Sequence, residues 1–310
     1  MERGVRRSAV ITAVAAVLSV VCVVPVAARS VPDSDAVHAV STPAEVVTEY
    51  WTPERMRAAE PMERRVAEDE AAPVDGFPPD LNSEAVVTGE EWTNNGLVAK
   101  TTGRVFFTFD GRDSSCSGSA VKSDNGSVVI TAGHCVMYQG SWHKNWLFVP
   151  GYSDGNAPFG EWPARLTMVT PQWEANENLT YDIGAGVVEQ VDGRKLTDAV
   201  GGQEIAFNQQ RNQRMYSFGY PATGQYDGSA LIYCSGPTFV DVVLTQDHGM
   251  RCGMTGGSSG GPWFLEFDEE SGTGKVASVN SFYYWFLPGF LFGPYFGAEA
   301  QALYNRAQSA

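Results

Sequence analysis

Three regimes of apolar and polar positions succeed one another along the chain. Residues 9–26 are apolar apart from Thr12 and Ser19, with Arg3, Arg6 and Arg7 before them and Val26-Ala27-Ala28 at their end. A positive start, an apolar run and a small-residue exit predict a cleavable export signal over residues 1–28. Residues 29–96 show no long period, and proline recurs through them from Pro32 to Pro79. Only 42–49 and 52–59 read as short helices, each opened by Thr-Pro as cap and first turn. From Leu97 the pattern changes to short runs rich in β-branched and aromatic residues, at 104–109, 116–123, 127–132, 142–150, 162–170 and 183–188. Asn125-Gly126 supplies the tight turn of a hairpin between the second and third runs. Gly201-Gly202 marks a boundary, after which strands are predicted at 215–219, 230–235, 238–244, 263–267 and 275–285. An alanine-rich tail, 298–307, reads as a short helix. The fold class is all-β with one terminal helix. Its strand-rich part divides into 97–199 and 200–310.

Composition sharpens this picture. A chain of 310 residues can hold more than one domain, and 33 glycines suit strands joined by turns. The formal net charge of −15 argues against a nucleic-acid partner, which calls for a basic face. Much of the acidity lies in 29–96, where 15 Asp/Glu face 5 Lys/Arg for a net −10. Placed between an export signal and a strand-rich region, this stretch reads as a pro-segment rather than a plain linker. It would act as an intramolecular inhibitor or a folding aid. Of five cysteines, Cys22 leaves with the signal. Cys116, Cys135, Cys234 and Cys252 remain, an even number without a Cys-x-x-Cys or histidine cluster. That favours oxidised pairs in an exported protein over a metal site, and no cofactor is expected.

The chemistry gathers in Thr255-Gly256-Gly257-Ser258-Ser259-Gly260-Gly261-Pro262-Trp263. Glycines let the backbone take unusual angles and approach a bound group closely. A serine there can present its oxygen to a carbonyl, with the Gly257 and Ser259 N–H groups aimed at the oxyanion that develops. Serine needs an adjacent base. Among four histidines only His134 sits in a motif, Thr131-Ala132-Gly133-His134-Cys135, and Asp182 in Tyr181-Asp182-Ile183-Gly184 is the candidate orienting carboxylate.

With these three stretches the chain resembles the chymotrypsin-like serine peptidases over roughly residues 97–310, and more narrowly the secreted bacterial branch that includes the glutamyl endopeptidases. The resemblance implies two packed six-stranded antiparallel Greek-key barrels. It selects Ser259, which directly precedes Gly260-Gly261-Pro262, as nucleophile, with His134 and Asp182 as its partners. The implied protein is a secreted, extracellular, monomeric serine endopeptidase acting on proteins or peptides, free of membrane once its signal is lost. A catalytically inactive binding module on the same fold is the alternative, and an esterase a more remote one, because its triad order differs. The resemblance implies Cys116 paired with Cys135, which leaves Cys234 for Cys252. Ser258 stands where pancreatic-type relatives carry an aspartate that pairs with a new N-terminus. The mature chain is expected to begin between about residues 90 and 105. The pocket for the residue before the cut is expected from Gly253, Met254, Thr255, Ser278, Asn280 and Ser281. With Gly253 at its base it should take uncharged side chains, with glutamate as runner-up. The aromatic stretches at 282–286 and 290–296 are expected in the barrel core and cleft wall rather than at a membrane or carbohydrate surface.

Overall fold

The acidic, proline-rich segment is built into the sheets of the strand-rich region. The computed structural model describes residues 1, 2, 4, 36–79 and 85–310, so most of the predicted export signal lies outside the described residues. The chain from Asp33 to Ala310 is one unit. Its first part contains β1 (Val37–Ala39), α1 (Ala44–Tyr50), α2 (Pro53–Ala58), β2 (Glu60–Pro61), β3 (Arg64–Val66) and β4 (Val87–Glu91). Thr52 caps α2 as its sequence predicts, its side chain accepting from the Arg55 N–H at 3.3 Å with Pro53 in the first turn.

The first half of the strand-rich region holds β5 (Thr102–Phe109), β6 (Arg112–Ala120), β7 (Val128–Thr131), β8 (Lys144–Pro150), β9 (Trp162–Val169) and β10 (Gly184–Val188). Their antiparallel order β9-β8-β5-β6-β7-β10 closes on itself through β9 and β10, a six-stranded barrel without free edges. Val105, Phe106 and Phe107 are all fully buried, because the outer face of the barrel is covered too. Val47 of α1, Trp51 directly after it and Met56 of α2 lie in the same cluster as Phe106 and Phe148. Trp51 stacks obliquely on Phe106 at 5.4 Å and donates its indole N–H to the Asn145 carbonyl at 2.7 Å. Three fully buried side chains of this size stabilise the docked segment by several kcal/mol, at about 2 kcal/mol each.

The second half holds β11 (Arg214–Gly219), β12 (Ile232–Pro237), β13 (His248–Arg251), β14 (Pro262–Asp268), β15 (Thr273–Val279), β16 (Phe282–Tyr284), β17 (Phe290–Gly293) and the terminal helix α3 (Ala298–Ser309). Its second barrel comprises two hydrogen-bonded runs, β15-β14-β11-β12 and β13-β17-β16. Both contribute to one core, which includes Met215, Ile232, Met250, Trp263 and Leu291. The disulfide Cys234–Cys252 ties the runs together, and Cys116–Cys135 joins β6 to the turn after β7. Of the aromatic stretches near the end, Phe282, Tyr284, Phe292 and Phe296 are core.

Residues 87–92, read from the sequence as pro-segment, belong physically to the second barrel. β4 pairs antiparallel with β12, Thr88 opposite Cys234. Trp92 is 8% exposed and meets Phe218, Tyr233 and Phe267 edge-on at 5.1–5.6 Å.

Candidate active site

His134 sits in a single 3-10 turn, Gly133–Cys135, where β7 ends and the disulfide begins. Its backbone N–H donates to Asp182 Oδ1 at 2.8 Å, and its Nδ1–H donates to Oδ2 at 2.7 Å. Ser281 Oγ–H adds a third bond to Oδ2 at 2.5 Å. Both side chains are buried, His134 at 1% and Asp182 at 0% exposure. An acceptor-only carboxylate on Nδ1 fixes the tautomer that leaves Nε2 free to accept. That Nε2 is buried and has no hydrogen-bond partner. Gly133 makes the pairing possible, since a Cβ there would lie 2.8 Å from the Trp173 ring and 3.0 Å from Asp182 Oδ1.

Ser259 lies in the glycine loop and is 5% exposed. The loop is held from both sides by neutral groups. From β6, Ser117 N–H donates to the Ser259 carbonyl at 2.7 Å, and Ser117 Oγ–H donates to the Gly257 carbonyl at 2.9 Å. From the other side, Gly260 N–H donates to Asn280 O at 2.7 Å, and Asn280 N–H returns a bond to Gly261 O at 2.8 Å. At Gly260, with φ of +79°, a Cβ would fall 2.0 Å from Thr131 Oγ1 and 2.4 Å from the Ser117 carbonyl. Only glycine fits there. Ser258 spends its hydroxyl on the Thr255 carbonyl at 2.7 Å, so the loop is closed without an ion pair at that position.

The residues expected to form the pocket separate into two groups. Gly253, Met254 and Thr255 line a cavity of about 370 Å³, together with Cys252, Tyr283 and Phe290. Ser281 borders a smaller space beside it that reaches Ser258 and Ser259. Ser278 and Asn280 line neither. Ser278 Oγ–H is bonded to Pro294 O at 2.8 Å. Asn280 is fully used: Oδ1 accepts from Ser217 Oγ at 2.6 Å and Trp263 Nε1 at 2.5 Å, while Nδ2 donates to Phe218 O and Ser258 O, both at 2.9 Å. Asn280 is a clamp on the serine loop. His248 also stays out of the cavity, and burial pushes its pKa down to about 4. At the base, Gly253 N–H donates to the Thr88 carbonyl of β4 at 2.7 Å.

The acidic segment reaches this site. Glu63 lines both cavities, and burial followed by the neighbouring Glu63 carboxylate pushes the Tyr283 phenol up to about 12. The Gly257 N–H, an expected oxyanion donor, is bonded to Met62 O at 2.9 Å. Sequence reading missed this contact, and it missed Ser117 and His143. His143 stacks on Phe107 at 4.2 Å and donates its Nε2–H to the His134 carbonyl at 2.9 Å. Burial drives its pKa down to about 3, so it is neutral. Ligand atoms of Cys116, Cys135 and His134 lie within 4.8 Å of one another. The two sulfurs are joined to each other, however, and thiolates for a metal are lacking there.

Solved structures bear on this arrangement. The protease Anisep from Arthrobacter nicotinovorans matches at 38% identity with a TM-score of 0.67, over 72% of this chain and all of that one. The thermostable serine protease AL20 from an extremophilic microorganism matches at 38% with a TM-score of 0.65, over 69% of this chain and 99% of its own. A Glu endopeptidase in complex with MPD shares the fold at 19% identity and a TM-score of 0.57, over 72% and 97% of the two chains. No family profile and no curated protein matches. Among the described residues no helix is long and apolar enough to cross a membrane.

Proposed function

Because the chain belongs to the chymotrypsin-like serine proteases, we propose that it is a secreted serine endopeptidase made as a latent precursor. The observation that carries this reading is the buried Asp182–His134 pair, whose Nε2 is left unpartnered and whose carboxylate is tied through the Ser281 hydroxyl to the small space that Ser259 borders. Ser259 Oγ attacks the substrate carbonyl while His134 Nε2 takes its proton. Gly257 and Ser259 N–H groups hold the oxyanion, and His134 then returns the proton to the departing amine. Asp182 keeps the imidazole in the required tautomer and stabilises its charged form. The acyl-enzyme is hydrolysed by water through the same proton path.

The cavity over Gly253 receives the side chain before the cut. Apart from Glu63 of the pro-segment, its lining carries no charged side chain, which supports uncharged residues there. With Asn280 withdrawn, Thr223, Thr255 and Tyr283 are the hydroxyl groups left in the cavity for glutamate, the second choice. The maturation site shifts upstream of the expected window. Since β4 supports Gly253 and Trp92 fills the second core, the mature chain keeps both, and processing falls before Val87.

Casein and an organophosphate probe test this reading on the processed protein. Ser259→Ala should lose probe labelling and slow casein hydrolysis by on the order of 10³-fold or more. Labelling that survives in Ser259→Ala but disappears in Ser258→Ala would move the nucleophile by one residue.

A further inference from the structure

The course of the pro-segment through the site has a direction, set by its pairings. β2 runs parallel to β6, with Glu60 opposite Ser114 and Pro61 opposite Ser115. Met62 N–H donates to the Ser115 carbonyl at 2.9 Å, and its own carbonyl accepts from Gly257 N–H at 2.9 Å. Glu63 and Arg64 then border the small space that Ser259 and Ser281 share. β3 continues parallel to β16, with Arg64 opposite Phe282 and Val66 opposite Tyr284. The segment thus enters along β6, crosses the serine loop at Met62 and leaves along β16.

A substrate has to travel the other way. Its residue before the cut places a side chain in the cavity beside Tyr283, so its acyl half lies on β16. Its departing amine half lies on the β6 side of the site. From N- to C-terminus, a cleavable chain therefore runs from β16 to β6.

We propose, resting on the peptidase reading above, that residues 60–66 are a peptide inhibitor laid backwards through the substrate cleft, bound by the site's own backbone groups but presented in an orientation it cannot cut. The Met62 carbonyl oxygen takes an oxyanion donor as a substrate's would. The nitrogen bonded to that carbonyl belongs to Glu63, on the acyl side of the cleft. His134 therefore has no departing amine to protonate, and attack cannot go forward. Main-chain hydrogen bonds give such an added strand its grip, and side chains give it register. Val66 is fully buried in the cluster that holds Phe282, Tyr284 and Phe292. Its carbonyl accepts from Trp285 N–H at 3.1 Å. Arg64 is gripped by both carboxylate oxygens of Glu70, and Ala67 N–H donates to the same carboxylate at 2.9 Å. The ligand class is an extended peptide with an apolar residue at the Val66 place and an acid at the Glu63 place.

The test uses the unprocessed secreted chain, read by its labelling rate with an organophosphate probe and by intact mass. Wild type should label slowly and stay whole through residues 60–66 for as long as the processed protein remains active. Val66→Asp places an unpaired charge against Phe282 and Tyr284 and should speed labelling by about tenfold or more. Glu70→Arg breaks a half-buried pair, leaves the core alone and should speed it by about threefold. Should Val66→Asp fail to fold, Glu70→Arg decides. Unchanged labelling in a folded variant overturns the proposal. So does a cut at Met62–Glu63 or Glu63–Arg64 that disappears in Ser259→Ala, because it would mean a forward-bound substrate. If neither the processed protein nor any variant takes the probe, the peptidase reading itself has failed.

Discussion

His134 and Ser259 are held in place by different chemistry. His134 depends on groups that can change charge: the Asp182 carboxylate bonds it twice, and the neutral His143 ring donates to its carbonyl. Ser259 depends on groups that cannot, namely Ser117, Asn280 and through Asn280 the Ser217 hydroxyl and Trp263 indole. The contrast divides the site into a side that acid can disturb and a side that only a lost side chain can. It follows from what each side must do. In the proposed mechanism the base has to accept and release a proton, so its neighbours set its charge, whereas the nucleophile loop only has to keep its shape.

Asn280→Ala should have the largest effect on that division. It strands the Ser217 hydroxyl and the Trp263 indole N–H and takes one bond from each of two carbonyls, of which Ser258 O keeps the Gly261 N–H, at a cost on the order of 3–5 kcal/mol. In the processed protein, kcat should fall at every pH by the same factor, read beside a thermal melt. A loss confined to acid pH would place Asn280 on the wrong side of the comparison.

The disulfides come next. Each closes a loop of similar length, with separations of 19 and 18 residues, worth about 3 kcal/mol in the chain-entropy account. Their functional effects should differ. Replacing Cys116 and Cys135 by serine loosens the turn carrying His134 and should act mainly on kcat. Replacing Cys234 and Cys252 loosens the cavity wall and should act mainly on KM. Equal kcat and KM effects from both pairs would erase the distinction.

The effect that is smallest at neutral pH, and grows only in acid, is on stability. Burial holds His143 near a pKa of about 3 and His248 near about 4, below the unfolded value of about 6.5. For a base whose folded pKa is depressed, stability is complete above the unfolded pKa and declines as pH falls from there toward the folded one. Each ring contributes a slope approaching about 1.4 kcal/mol per pH unit. His143→Phe and His248→Phe should each flatten unfolding free energy between about pH 4 and 6.5. Only His143→Phe should lower kcat at neutral pH, since His248 bonds neither Ser259 nor Asn280 and meets that side only at the Trp263 ring, 6.5 Å away, where phenylalanine keeps an aromatic face. A loss of kcat in His248→Phe would show that the second half feels charge after all.

Much of this was legible in the sequence, and the exceptions share a cause. Motifs marked His134, Asp182 and Ser259, and strand boundaries mostly fell within two residues of the runs read for them, although 238–244 holds a strand only at Phe239–Val240 and no run was read for β13 or β17. The run 275–285 was read as one strand, yet it breaks at Asn280-Ser281. There the backbone turns to bond Gly260 and Gly261, and the Ser281 hydroxyl reaches Asp182. Periodicity continues through such a break because the side chains on either side remain buried. Ser117 lies in Ser114-Ser115-Cys116-Ser117, where nothing local separates it from its neighbours. β2 and β3 have two and three residues, too few for any period, and their identity as strands comes wholly from the edges they meet. The acidic composition of 29–96 pointed to a loose chain, while Val47, Trp51, Met56 and Val66, spread thinly along it, are each fully or almost fully buried.

Past Val66 that same segment changes character: residues 67–76 are exposed apart from the half-buried Ala71. A single nick past Ala71 would leave every contact of the inhibitor intact, the Arg64–Glu70 pair included, and alter only the order of the reaction that restores it. Before the nick, rebinding is intramolecular, at a local concentration set by the tether and independent of how much protein is present. Afterwards it is second order, and occupancy falls as the two pieces spread apart. Cleavage would thus arm the enzyme without releasing it. Dispersal would complete the release, so on the proposed reading activity would emerge away from the point of cleavage rather than at it.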